Sequence, residues 1–472
     1  MEVGSEKDEE EKSVSDAAMD PDFVMDRSAM WKFIILSILG ALVFLVPLPD
    51  PYTPGTFTIG LGIMVDTAEI YLADILPWAA LVFIGFSGIF TPYASLAKPD
   101  FIKENDFLEK LFITSPVYYI SRFVGMVFYV MFLFEIGPQW LIGPFTGGVP
   151  GDLLIPLIML LFLFSGPAIV LLTDFGLMEF IGTMIRKLMR PLFKIPGRSG
   201  IDTIASVLAS STVGVVVTTT QYDKNYYTGK EAAIIASNFS LVSVPYILFM
   251  ATTVGHPELF FQLLISCWIV SIIIALILCR IWPLKGIVET YKDGTTSGEL
   301  DEKTPEHLSL PQWAVRTAVE KARRTSMKVI PEDGAKIIGK IYFSLLPLVM
   351  AWATIVLVVA EETPVFEWIS YPFGLLFELM GVPEAYELGT AYVLGFPDQF
   401  LAAVIGAGIE SPVASFLAAG ISVTGLLYIT EVGVIILDSD IPLDIKDITV
   451  LYFMRAFMTA ILLTPLAFFF AG

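Results

Sequence analysis

Cysteine and histidine are nearly absent: the 472-residue chain holds 2 of each, Cys267, Cys279, His256 and His307. Both cysteines fall inside one apolar run, so no disulfide framework and no thiolate metal site is expected. Both histidines fall in connecting segments and read as solvated surface residues. Catalytic signatures are missing too, with no H-E-x-x-H, no G-x-S-x-G and no Walker A sequence. The chain therefore does not read as an enzyme, and neither a metal nor a cofactor is expected. Charge is scarce, at 16% of residues, where a soluble domain carries about 25%. Its balance is acidic, with a net charge of −20, which argues against nucleic acid as a partner.

What is present is apolar sequence. Hydrophobic residues make up 55% of the chain and the mean hydropathy is +0.74. Runs of roughly 20 apolar residues recur, each long enough to cross a hydrocarbon core. The expected fold is all-α: a polytopic membrane protein with nine spans, near 31–49, 70–90, 117–136, 153–173, 231–253, 260–283, 337–360, 418–437 and 448–470. Two further segments, 199–222 and 393–417, are apolar but interrupted by Gly, Ser, Thr and Pro.

The same order of features occurs twice, about 187 residues apart. An apolar span ends near Thr173 in one half and near Ala360 in the other. Interfacial stretches close on Ile195-Pro196 and on Val382-Pro383. An interrupted segment and two long spans follow each time. A repeat holding an odd number of crossings must invert in the membrane, and inverted repeats with interrupted segments mark secondary transporters.

Basic residues set the orientation. Arg186, Lys187, Arg190, Lys194 and Arg198 precede the first interrupted segment. Lys285, Lys292, Arg316, Lys321, Arg323, Arg324, Lys328 and Lys336 fill the central loop. Both groups are expected inside. Two full spans between them return the chain to the same side, so 199–222 reads as a re-entrant hairpin, and 393–417 as its counterpart from outside. The N-terminus is then cytoplasmic and the C-terminus external, in a multi-pass protein of the cell membrane. No cleavable signal peptide is evident. The expected organisation is a disordered acidic tail at 1–28, transmembrane helices at 29–150, a first repeat at 151–284, a cytoplasmic loop at 285–336 and an inverted second repeat at 337–472. Within the loop, 312–328 reads as a basic helix carrying Trp313, suited to anionic headgroups or to a solvated linker.

Ionisable residues inside spans are costly and become functional candidates. Glu431 lies two-thirds along the 418–437 span. Glu410, beside Ser411-Pro412, is placed at the turn of the second hairpin. Asn238 and Ser240 lie on the span matching that of Glu431. Ser210, Ser211 and Thr212 mark the first hairpin. These eight residues are the expected substrate site, with Glu431 and Glu410 as carriers of a coupling H⁺ or Na⁺. Half-helix termini would add their dipoles. Arg455 in the last span is expected to pair with a carboxylate. Asp202 and Glu387 would sit at hairpin starts, and Asp398 and Gln399 at an external mouth.

At these residues the chain resembles a known family. Met189-Arg190-Pro191, Pro196-Gly197-Arg198-Ser199, Ser210-Ser211-Thr212, Tyr226-Tyr227-Thr228-Gly229-Lys230-Glu231 and Ser237-Asn238 are similar to YjiH-type membrane proteins. So are Glu410-Ser411 and Tyr428-Ile429-Thr430-Glu431. Such proteins carry the nucleoside-recognition (Gate) domain, which is similar to the core of concentrative nucleoside transporters. The resemblance implies two re-entrant hairpins around a midplane site. Ferrous-iron uptake is disfavoured, because the nucleotide-binding motif is lacking and no thiol lies near the interrupted segments. The expectation is a secondary transporter of a small polar solute, nucleosides first, coupled to H⁺ or Na⁺. Organic cations or polyamines, metal ions, a channel and a non-transporting scaffold are the alternatives, and a homo-oligomer is one assembly open to it.

Overall fold

A computed structural model describes residues 23–472 apart from 45, 47, 50, 53–56, 145, 209, 224, 295–307 and 438, together with Ala18. Most of the acidic tail expected at 1–28, and His307, lie outside the described residues. The protein is all-α. Among the described residues the one sheet is a two-stranded ribbon pairing Leu48 with Thr58 and Pro49 with Phe57.

Among the described residues, seven stretches are long and apolar enough to cross a membrane: Arg27–Phe44, Leu76–Ala97, Pro116–Leu133, Val149–Thr173, Pro257–Leu278, Val329–Val359 and Ile445–Ala471. The two other expected spans are each broken in the middle. The first runs over Gly229–Asn238, unwinds, and resumes at Val244–Thr253. Pro245 in the first turn of the second piece has no N–H to give to a preceding helix. The second runs over Pro412–Thr424, is irregular through 425–428, makes a π turn at Ile429–Gly433 and ends in Val434–Leu437. Its break forces Leu426 into the left-handed region at φ 59°. Leu426, Leu427 and Tyr428 are fully buried. That burial meets the condition that irregular backbone at membrane depth be covered by protein.

Contacts divide the chain into two compact units. One comprises 46–168 and 328–372. Its helices Leu76–Ala97 and Pro116–Leu133 pack closely with Leu346–Glu362, and a Cβ on Gly125 would stand 1.9 Å from the Pro347 carbonyl oxygen. Small residues permit such approach where no hydrophobic force between helices operates in lipid. Arg122, buried in this unit, donates to Leu111 O at 2.8 Å and to Ser344 Oγ at 2.6 Å.

The other unit comprises 1–45, 169–327 and 373–472 and carries both hairpins. The first hairpin has arms Ser199–Leu208 and Ser211–Asp223, as expected. The second has arms Ala385–Leu394 and Gln399–Ala407, with its turn at 395–398. This corrects the expected 393–417. Two Gly/Pro signals lie close together there, and the first is the turn. The second, at Gly408–Pro412, starts the broken helix, because Pro412 occupies its first turn and Ser411 Oγ caps it by accepting from Ala414 N at 3.4 Å.

The helix Leu310–Arg324 is docked into this unit, where the sequence suggested a headgroup-facing or solvated helix. Trp313 is 1% exposed, and the Arg186 guanidinium stands 4.7 Å above its ring. Lys32 Nζ donates to the carbonyl oxygens of Ala322 (2.9 Å) and Thr325, capping the helix C-terminus with a cation. Buried Glu320 accepts from Arg323 and Arg324, each at 2.7 Å. Burial pushes the Glu320 carboxyl up, but these two guanidinium bonds outweigh it and leave it below its ordinary value.

Candidate functional site

The first hairpin closes because its arms can touch. A Cβ on Gly214 would lie 1.6 Å from Ser206 Oγ and 2.9 Å from Ser206 Cβ. The arms are tied by the buried carboxylate of Asp202, which accepts from Thr218 Oγ1 at 3.1 Å and Tyr227 Oη at 3.0 Å. The expected helix-start acid is thus also the clasp of the hairpin. At the turn, Ser210 Oγ accepts from Val213 N at 3.3 Å. Ser211, buried, donates its hydroxyl to Glu431 Oε2 at 3.3 Å. Thr212, half-buried, follows on the second arm.

The second hairpin reaches the same segment. Ile429 N donates to Phe396 O at 3.1 Å, in the hairpin turn. Asp398 closes that turn by accepting from Phe400 N at 2.9 Å. The stretch just beyond the break at 425–428 therefore meets both hairpin tips, one through the Ile429 backbone and one through the Glu431 side chain. Tyr246, from the first broken helix, packs on Phe400 with ring centroids 5.2 Å apart. It lies within electrostatic reach of Glu431 and Asp398. Its buried hydroxyl, and Oε1 of buried Gln399, take no protein partner among the described residues.

The two breaks are joined by Arg455. The terminal helix Ile445–Ala471 turns a buried face carrying Tyr452, Arg455 and Thr459 toward them. Arg455 is 0% exposed. Its Nε donates to Thr424 O at 3.0 Å, and its Nη1 to Asn238 Oδ1 at 2.9 Å and Ser237 O at 3.4 Å. Thr424 and Asn238 are the last residues of their half-helices, where carbonyls lack intrahelical partners and the dipole is negative. The amide of Asn238 is oriented by its own donors, with Nδ2 bonded to Ile234 O at 3.1 Å and Ser237 Oγ at 2.9 Å. The sequence suggested a carboxylate partner for Arg455. The structure gives it neutral oxygens, because the half-helix ends already supply the compensating charge. Tyr428 finishes the second break, its hydroxyl aimed at Ile421 O (3.1 Å) and Ser422 O (2.7 Å).

Of the eight candidates, the structure brings Ser211 to Glu431, with Ser210 and Thr212 as its chain neighbours on the first hairpin, and Asn238 to the second break through Arg455. Ser240 lies in the first break, its hydroxyl donated to Ala236 O at 2.8 Å. Glu410 and Ser411 are elsewhere. They precede the Pro412–Thr424 half-helix, whose length of about 20 Å separates them from the break at its other end. Their backbone N–H groups donate to the Glu384 carboxylate at 3.1 and 2.7 Å. Tyr246 and Glu384 were not singled out in the sequence, and Tyr428 figured only as part of a family motif. Nothing in periodicity distinguishes a buried tyrosine from an interfacial one.

Comparison with known proteins follows this geometry. A Gate family model, described as nucleoside recognition, matches residues 154–257. That segment contains the first hairpin and the first broken helix, and it upholds the YjiH-type resemblance drawn from their residues. An uncharacterized protein of Alkalihalophilus pseudofirmus is 40% identical over 451 residues, covering 95% of this chain and 96% of that protein. The chain belongs to that protein's family. The sporulation integral membrane protein YlbJ of Bacillus subtilis is 33% identical over 92 residues, 20% of this chain and 21% of its own length. Among solved structures, CNTnw in an inward-facing substrate-bound state aligns over 98% of this chain and 97% of its own, with TM-score 0.43 and 14% identity. A CNTnw variant in an intermediate state aligns over 98% and 97%, with TM-score 0.44 and 13% identity.

Proposed function

We propose that this family member is a secondary transporter of a small polar solute, held where the two hairpin tips meet the two broken helices. The observation that carries the reading is the pair of bonds made just beyond the second break: Ser211 to Glu431 from one hairpin, and Ile429 to Phe396 of the other. A segment that touches both hairpins next to a break in its helix can respond to a solute by changing which hairpin it holds. The Gate description names nucleosides as the first class to test.

Ser211, Glu431 and Asn238 are the proposed binding residues, with Ser210, Thr212 and Ser240 beside them. Glu431 is the proposed carrier of the coupling ion, and Glu410 is set aside by its distance. The two repeats occupy 151–284 and 337–472, with the N-terminus cytoplasmic.

Uptake of labelled uridine into proteoliposomes, under an inward H⁺ or Na⁺ gradient, tests the reading. Gradient-driven uptake that disappears in Glu431→Gln while the variant still reconstitutes is the expected result. Wild-type vesicles that accumulate no nucleoside under either gradient would overturn the nucleoside assignment. Full uptake by Glu431→Gln would overturn the role of Glu431.

A further inference from the structure

Arg455 places a positive charge where nothing on its own helix calls for one. It is fully buried, and all its hydrogen bonds among the described residues go to neutral oxygens: two main-chain carbonyls and one side-chain amide. The carbonyls belong to two different half-helices, one in each repeat. Transporters built on broken helices use unwound carbonyls and half-helix C-terminal ends to hold an exchangeable cation. Here the same kind of oxygen set is occupied by a side chain.

We propose that Arg455 is a tethered cation standing in the place of an exchangeable one, so that the junction of the two breaks takes no Na⁺. A guanidinium holds its proton at physiological pH and cannot leave the chain. The charge at this junction is therefore constant through any cycle. If the protein transports as proposed above, the ion that moves with the solute binds at another group, and Glu431 is the titratable side chain on the same broken helix. The tethered-cation assignment depends on that reading only for this last consequence.

The geometry also explains why charge compensation needs no carboxylate. Each half-helix C-terminus carries roughly half a negative charge. Two of them meeting at Nε and Nη1 offset one guanidinium. Removing the side chain would leave Ser237 O, Thr424 O and Asn238 Oδ1 facing one another without a cation, an oxygen set suited to a small hard ion.

Thermal unfolding of the purified full-length Glu431→Gln protein, which lacks the other proposed carrier of a coupling ion, titrated with NaCl against choline chloride at constant ionic strength, tests this without solute or gradient. With Arg455 in place it should show no Na⁺-specific rise in Tm. The protein with Arg455→Ala added should start several degrees lower and recover part of the loss in a saturable, Na⁺-specific manner, as a ligand of the folded state must produce. Arg455→Lys, which keeps a tethered charge, should be as insensitive to Na⁺ as the Arg455 parent. Arg455→Met, closer in volume, replaces the alanine variant if that one does not fold. A saturable Na⁺ response in the Arg455 parent that Arg455→Ala leaves unchanged would overturn the proposal, as would neutral variants that gain no response. Because no transport is measured, neither outcome depends on whether the protein moves nucleosides.

Discussion

Asn238 Oδ1 accepts from Arg455 Nη1 at 2.9 Å, joining the first broken helix to the last helix of the chain, 217 residues later. The bond holds a buried charge, so its loss costs more than an ordinary hydrogen bond. Asn238→Ala is predicted to lower stability by about 2 kcal/mol, read as a fall of several degrees in Tm. Asn238→Asp keeps an acceptor at the same place and should lose less than half as much. Equal losses in the two variants would show that the amide is not the acceptor that matters.

Gly214 and Ser206 set how closely the arms of the first hairpin approach. Gly214→Ala should cost about 1–2 kcal/mol by overpacking. Adding Ser206→Gly removes the atoms the new methyl would meet, and should return most of the Tm. A double variant no more stable than Gly214→Ala would place the strain elsewhere.

Leu426 and Leu427 are neighbours with equal burial, but only Leu426 has a left-handed backbone. A β-branched side chain is poorly tolerated at positive φ. Leu426→Ile is therefore predicted to lose about 1 kcal/mol more than Leu427→Ile. Thermal unfolding of the two variants side by side gives the comparison, and matched losses would refute strain at the break.

Glu320, held by Arg323 and Arg324, has its carboxyl below the ordinary value in the folded protein. A carboxyl depressed on folding contributes stability above its unfolded pKa of about 4.3, and that contribution is lost as pH falls through the folded value. The Tm advantage of wild type over Glu320→Gln should be full at neutral pH and shrink below the ordinary carboxylate range. An advantage that stays constant across that range would contradict the linkage.

Much of this architecture was legible in the chain. Apolar runs marked the spans, and basic residues around Arg190 and Lys328 led 199–222 to be read as a hairpin, whose two arms the structure contains. The Ser/Thr/Gly content of 206–214 located the first hairpin. The second hairpin was misplaced because Gly395–Pro397 and Gly408–Pro412 are equivalent as local signals. Both are followed by a capped helix, at Asp398 and at Ser411, and what tells them apart is tertiary: Phe396 O meets Ile429 N, whereas the Glu410 and Ser411 N–H groups bond to Glu384. The breaks after Asn238 and Thr424 escaped detection because their residues are as apolar as the helices around them. Pro245 is the one local signal, for the first break, and the rest is tertiary: Arg455 bonds Ser237 O and Thr424 O at the two interrupted ends. The helix carrying Trp313 was read as facing headgroups or solvent because its residues are basic, and Arg186, which stands over the Trp313 ring, lies far away in sequence.

The most direct test of the site is nucleoside binding to purified wild type, Glu431→Gln and Glu410→Gln, followed as the concentration-dependent rise in Tm. Stabilisation by uridine in wild type and Glu410→Gln, and its loss in Glu431→Gln, is the predicted result. Loss in Glu410→Gln with full retention in Glu431→Gln would place the solute at the other end of the Pro412–Thr424 half-helix and contradict the account.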